Sequence, residues 1–185
     1  MDAAPNRPAP RAHAAEKHMR PLAYTQADSD RAYKEWKATC GPHSLAAACG
    51  KTLDEIHSIM PANYKGWMSP TMVCNALGAL GMTDILYQTK LKTDALCNGI
   101  SRVQWEGKWL NPGVPARVAY FHTHLVAHLY GFVLCTVCEN AKWISEGEWR
   151  DFLLDENDPQ PFHITHHWHI NWNPNCNPAN PHALA

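Results

Sequence analysis

The chain has 185 residues, of which 45% are hydrophobic and 18% are charged, and its formal net charge is -1 at pH 7. This length is typical of one domain, and the apolar content excludes a chain that is disordered throughout. The 16 Lys and Arg residues do not outnumber the 17 Asp and Glu residues, which argues against a nucleic-acid partner. No apolar run reaches the roughly 18 residues of a membrane span, so no membrane partner is expected.

Cysteine usage and the N-terminal segment indicate a compartment. The seven cysteines are irregularly spaced, and some fall inside apolar helical patterns, as reduced cysteines do. The N-terminal segment has no apolar core of a secretory signal. These features favour reduced thiols and a cytoplasmic location over a disulfide framework.

Composition divides the chain into three regions. Residues 1–30 are rich in Ala, Pro, Arg and Asp without a sustained period, which predicts a flexible N-terminal arm. Residues 31–172 form the predicted core domain. Residues 173–185 repeat Asn-Pro, a pattern typical of turns, and are predicted to be a C-terminal tail.

The first half of the core is predicted to be helical. The signals are Gly41-Pro42 before a run that stops at Gly50, a capping box at Thr52 and Glu55, and Ser69-Pro70 before a run that stops at Gly81.

The second half is predicted to form strands, interrupted by one short helix over 145–154. Five segments carry β-branched and aromatic residues with partial alternation: 85–91, 101–107, 115–121, 124–137 and 162–172. Helices followed by strands are typical of an α+β fold rather than of alternating βαβ units.

Cys40 lies at the predicted N-terminus of the first of these helices. A helix N-terminus presents unpaired N–H groups and a partial positive charge, which favour the reactive thiolate. Gly41 would let a substrate approach the backbone closely. The alternative is a buried structural cysteine that happens to precede a helix.

Cysteine catalysis needs a base that is near in space and distant in sequence. His124 opens a predicted strand with an apolar body, in the half of the core that faces the helices. The sequence therefore predicts that the Cys40 sulfur and a His124 ring nitrogen lie within about 3–5 Å of each other.

These two motifs resemble those of a known family. Cys-Gly-Pro-x-Ser-Leu at 40–45 and His-Leu-Val-Ala at 124–127 resemble the papain-like cysteine peptidases, near the double-glycine leader peptidases. The runs RVQWEGKW, HTHLVAH and FHITH look like parts of small phage-encoded members, and the resemblance covers about residues 33–171.

The resemblance implies a papain-like fold in which the nucleophile helix packs on an antiparallel sheet. It implies a peptide or isopeptide amide hydrolase that needs no cofactor, with Cys40 as nucleophile, His124 as general base and the Cys40 backbone amide as an oxyanion donor. It further implies a phage-encoded protein that acts on a peptide or protein in the cytoplasm of a bacterial host.

Two family positions differ in this chain. The family usually has an Asp or Asn after the His, where this chain has Cys135 with Asn140 nearby. Because a thiol is a weak acceptor, we expect Asn140 or a backbone group to orient His124, and Asn140→Ala to reduce turnover far less than Cys40→Ala. The family's oxyanion Gln is replaced by Lys34, and the nearest Gln is Gln26. The alternative function is therefore a catalytically weak papain-like scaffold that serves as a virion or host-interaction protein.

A metal site is a competing interpretation, since His and Cys are zinc ligands. The alternative zinc set is His122, His124, Cys135 and Cys138, which would make a zinc-stabilised binding domain. Within one strand, residues three apart point to opposite faces, so Cys135 and Cys138 are expected not to share an ion and no stoichiometric zinc is expected. The remaining candidates, predicted to line a substrate cleft with Gly41, are His43, Trp67 and Trp105.

Overall fold

A computed structural model of the protein describes residues 21–82, 84–138, 141–153 and 161–170. Its fold is α+β, as the order of sequence patterns predicts. The described helices are α1 (Gln26–Trp36), α2 (Cys40–Cys49), α3 (Leu53–Ile59), α4 (Pro70–Ala79), α5 (Ala116–Tyr120) and α6 (Glu146–Leu153), with a 3-10 turn at Lys108–Leu110. No helix in these ranges is long and apolar enough to cross a membrane.

The strands form one open antiparallel sheet in the order β1-β6-β2-β3-β4-β5. They are β1 (Ile85–Thr93), β2 (Gly99–Trp105), β3 (Thr123–Leu129), β4 (Phe132–Leu134), β5 (Ile144–Ser145) and β6 (Phe162–Ile170). The first four helices precede the sheet in the chain, while α5 lies between β2 and β3 and α6 between β5 and β6.

Most helix ends occur where the sequence signals predict them. Thr52 and Glu55 form a complete capping box at α3, and Ser69 caps α4 with Pro70 in its first turn. Helix α2 ends at Gly50, whose φ of 64° is the left-handed conformation that glycine adopts without steric cost. These caps satisfy backbone groups that a helix end would otherwise leave unpaired.

Helices and sheet enclose two apolar clusters. The larger cluster joins α1–α4 to one face of the sheet through side chains such as Ile100, Ala127 and Trp168. The smaller cluster lies on the opposite face and packs Trp149 of α6 against Val103 and other strand residues. Because successive strand residues point to opposite faces, the two clusters use alternate positions of β3, with Ala127 in the larger cluster and Val126 in the smaller one.

Helix α2 is the central helix of the larger cluster. Residues 41–48 are all buried, and three consecutive alanines, Ala46, Ala47 and Ala48, let the helix approach the sheet closely. The Ser44 hydroxyl donates a hydrogen bond of 3.0 Å to the carbonyl of Leu125 on β3. This contact fixes the start of α2 against the start of β3.

Three features differ from the sequence prediction. The segment 115–121, predicted as a strand, contains α5, because Pro115 begins a helical turn there. The segment 124–137, predicted as one strand, is a hairpin: Tyr130 and Gly131 have φ of 51° and 85°, the conformation of tight hairpin turns. The folded part of the chain begins before residue 31, since α1 starts at Gln26. Residues 1–20 and 173–185 lie outside the described residues.

Candidate functional site

Cys40 is the first residue of α2 and is half-buried. Its backbone N–H has no acceptor within the helix, since the first N–H groups of a helix lack intrahelical partners. Thr39, the residue before it, does not cap the helix with its side chain and instead donates its hydroxyl to the carbonyl of Gly66. The start of α2 therefore keeps N–H donors next to the Cys40 sulfur.

The structure brings Cys40 and His124 together. Their side chains lie close enough for each to shift the pKa of the other, and the backbone N–H of Leu125 acts on the Cys40 sulfur as well. The His124 ring is only 8% exposed, so it is held in place by protein groups. The packing of α2 on β3 explains how residues so distant in sequence meet.

A ring nitrogen of His124 faces Cys135. Its Nε2 lies 3.5 Å from the Cys135 sulfur, which is 1% exposed at the end of β4. The side chain of Cys138 and the backbone of Val137 are also hydrogen-bonded to this sulfur. Three donors thus converge on Cys135, which makes it a far better acceptor than an isolated thiol.

Cys40, His124 and Cys135 each shift the pKa of a neighbour in the direction that favours its charged form. Burial disfavours charge on His124, but attraction to Cys40 and hydrogen bonds with Cys135 and Cys40 outweigh it and raise the His124 pKa to about 10. Burial raises the pKa of the Cys40 thiol, whereas the charge and hydrogen bond of His124 and the Leu125 N–H bring it below its usual value. Hydrogen bonding from Cys138 and His124 lowers the pKa of Cys135.

Two aromatic residues flank this centre. The Trp105 ring stacks on His124 at 6.2 Å between centroids and 27° between planes, so this residue contacts the base directly. Tyr64 lies near Thr39 and Cys40, and burial raises its pKa to about 12. Its hydroxyl therefore stays protonated at neutral pH.

The other residues predicted to line a substrate cleft have different surroundings. The space beside Gly41 is filled by Met68, because a Cβ there would lie 2.7 Å from Met68 Cγ and Sδ. The His43 ring is buried and bonded to Ser29 Oγ and the Thr39 carbonyl, both at 2.7 Å. Trp67 is 65% exposed.

A surface groove of about 370 Å³ begins beside the site. Its walls include Thr39 and Thr136, the neighbours in sequence of Cys40 and Cys135, together with part of His43. Gln26, the candidate oxyanion residue, is exposed on α1 and donates to Asp30 at 2.8 Å. The groove thus adjoins the backbone next to Cys40 and Cys135, and Gln26 makes its contact elsewhere.

The alternative zinc set is only partly assembled. His122 stacks on Trp109 with 3.6 Å between ring centroids, while His124 and Cys135 contact each other. Across the described ranges, no group of three or more His, Cys, Asp or Glu side chains is arranged to hold a metal ion. The prediction that Cys135 and Cys138 point to opposite faces of one strand is wrong. The two residues lie in a turn after β4, and their side chains interact.

Cys135 is the residue that contacts His124 Nε2, although the sequence predicted that a thiol is too weak an acceptor to orient the ring. Asn140, the residue preferred there, lies outside the described residues. The contacts of Leu125, Val137 and Tyr64 were not predicted from the sequence. The Cys-x-x-Cys spacing that follows the His124 strand is the feature of the sequence from which a role for Cys135 could have been predicted.

Comparison with known proteins gives no relative. No protein-family model, curated protein or solved structure is significantly similar to this chain.

Proposed function

We propose that the protein is a cysteine-type hydrolase of papain-like architecture that cleaves peptide or isopeptide amide bonds. The observation that carries the proposal is the placement of the half-buried Cys40 sulfur, at a helix N-terminus, beside a buried His124 ring whose Nε2 lies 3.5 Å from the Cys135 sulfur. A polarised thiol, an adjacent base and a group that orients the base form the arrangement that covalent catalysis needs.

The chemistry begins with an ion pair between the Cys40 thiolate and the His124 imidazolium. The thiolate adds to the amide carbonyl carbon, and the backbone N–H of Cys40 donates to the oxyanion that forms. His124 then gives its proton to the departing amine, and a thioester to Cys40 remains. Neutral His124 takes a proton from water, which attacks the thioester and releases the carboxylic acid and the Cys40 thiolate.

Cys135 takes the place of an orienting acid in this mechanism. As a thiolate it accepts a hydrogen bond from His124 Nε2, which holds the ring beside Cys40. An orienting group of this kind fixes the tautomer and direction of the imidazole and stabilises its charged form.

Alkylation by iodoacetamide at pH 6 tests the nucleophile. Because its thiol pKa is lowered, we expect Cys40 to react at least about tenfold faster than the exposed Cys97, whose thiol has no such partner in the site. The rates are followed for each cysteine by peptide mass spectrometry.

Cleavage of a peptide pool tests the hydrolase itself. We expect turnover that is lost in Cys40→Ala and kept in Cys49→Ala, a matched change at the opposite end of the same helix. Equal alkylation of Cys40 and Cys97, together with no cleavage, would contradict the proposal. That result would favour a papain-like binding scaffold, a function that the packing of Met68 against Gly41 also fits.

A further inference from the structure

Two cysteines lie side by side in the turn that follows β4. In the sequence Cys-Thr-Val-Cys, the N–H of Cys138 donates to the carbonyl of Cys135 at 3.0 Å, and the two side chains are hydrogen-bonded to each other. A turn of this type brings the Cα atoms at its ends within about 7 Å, a range that overlaps the separation of about 4.4–6.8 Å seen in disulfides.

The two sulfurs differ in access and in charge. Cys135 is buried at 1% exposure, and its thiolate is held by His124 and the Val137 N–H. Cys138 is half-buried, and its neighbour Val137 is 56% exposed, so Cys138 is the more accessible of the two cysteines. A more accessible thiol therefore lies next to a stabilised thiolate.

We propose that Cys135 and Cys138 form a thiol–disulfide exchange site for small-molecule disulfides, and that its oxidation removes Cys135 from His124. The site uses chemistry different from amide hydrolysis. Its effect on activity rests on the proposed function, whereas the formation of the disulfide does not.

The exchange proceeds in two steps with oxidised glutathione as the oxidant. Cys138 loses its proton to solvent and attacks one sulfur of glutathione disulfide, which forms a mixed disulfide and releases one glutathione thiolate. The Cys135 thiolate then attacks the Cys138 sulfur, closes the bond between the two cysteines and releases a second glutathione thiolate. Both released thiolates take up protons, so one disulfide is reduced and the dithiol is oxidised by two electrons.

Oxidation changes what His124 faces. A sulfur in a disulfide carries no negative charge and is a poorer acceptor, so the imidazolium loses its partner at Nε2. We expect the His124 pKa to fall from about 10 towards its ordinary value, and hydrolysis to slow by about tenfold or more, as for enzymes that lose an orienting group.

The test treats the full chain with oxidised glutathione and maps disulfides by peptide mass spectrometry. We expect a bond between Cys135 and Cys138 that dithiothreitol reverses. His124 is titrated by NMR before and after oxidation, and peptide cleavage is measured on the same samples. Cys138→Ser should form no such bond and should keep the His124 pKa after treatment, because serine retains a donor for Cys135.

Cys97→Ser is the matched control, since it removes an exposed cysteine outside the turn and should behave as the unaltered chain does. Mixed disulfides at other cysteines, with Cys135 and Cys138 still open to alkylation, would overturn the proposal. A bond between them that leaves the His124 titration unchanged would overturn the claim that oxidation removes Cys135 from His124. If the bond and the titration behave as expected but no peptide is cleaved, the exchange site stands and the hydrolase fails.

Discussion

Two histidines on β3, four residues apart and therefore on one face of the strand, have opposite electrostatics. His124 and His128 are both buried, at 8% and 6% exposure. The pKa of His124 is raised to about 10, whereas the pKa of His128 is lowered, because burial outweighs its contact with Glu146 at 3.1 Å. Burial alone would make both rings neutral.

The difference lies in what surrounds each ring. His124 interacts with two sulfurs, those of Cys40 and Cys135, and each sulfur is stabilised as an anion by other donors. His128 shares the Glu146 carboxylate with Arg150, which bonds the same side chain at 2.8 Å. Of these two buried imidazoles, only His124 has partners that outweigh the effect of burial on its pKa.

The largest expected effect is a difference in turnover between variants of the two histidines. His124→Ala should lower turnover by about 10²–10⁴-fold, because it removes the proton donor and acceptor of the reaction. His128→Ala should leave turnover unchanged and alter only stability. Cleavage kinetics on both variants, with circular dichroism to verify folding, measure this. Similar losses in both would mean that His124 has no special role.

A smaller effect is expected from the partner of His124. Cys135→Ala should lower turnover by at least about tenfold, and Cys135→Asp should retain more activity than Cys135→Ala, because a carboxylate also accepts from Nε2. The alkaline limb of the pH profile should move to lower pH in Cys135→Ala, since the His124 pKa falls. If the alkaline limb lies at the same pH in Cys135→Ala and in the unaltered chain, Cys135 does not orient His124.

The pH dependence of stability tests whether buried His167 stays neutral in the folded protein. Burial lowers the pKa of His167 to about 4, below the roughly 6.5 of an unfolded chain. The folded state therefore binds fewer protons, and this contribution to stability is lost as pH falls from about 6.5 to 4. His167→Gln should make the decline of the melting temperature shallower in this window. An unchanged slope would show that His167 charges freely in the folded protein.

The smallest expected effect compares two buried serines. Ser44 donates to the Leu125 carbonyl at 3.0 Å, and Ser101 pairs with His167 Nδ1 at 2.9 Å. Ser44→Ala and Ser101→Ala should each reduce the free energy of unfolding by about 1 kcal/mol, as for other buried hydrogen bonds. Only Ser44→Ala should also change turnover, since it loosens α2 against β3. Denaturant titration and kinetics distinguish the two.

Local sequence signals predicted four of the described helices, α2, α3, α4 and α6, but not α1 or α5. The capping box at Thr52, Ser69 before α4 and the glycine at the end of α2 act through contacts within a few residues, so the sequence displays them directly. The α+β order and the pairing of a helix-start cysteine with a strand histidine followed from the same patterns.

The hairpin and the partner of His124 could not be predicted in this way. Tyr130-Gly131 is not one of the common turn pairs, so β3 and β4 appeared as one strand. The strength of Cys135 as an acceptor depends on donors that the turn brings to its sulfur. Such an environment exists only after folding, and residue type alone suggests a weak acceptor.

The β3–β4 hairpin also bears on the order in which the centre assembles. His124 and Cys135 are joined by a short loop, and hairpins of this kind close in about 1–10 μs. Cys40 reaches them only when α2 docks on the sheet, which closes a much longer loop and is slower. During folding, we therefore expect His124 and Cys135 to meet before Cys40 reaches them. On the proposed function, a chain that is still partly unfolded would have no activated thiol with which to cleave its neighbours.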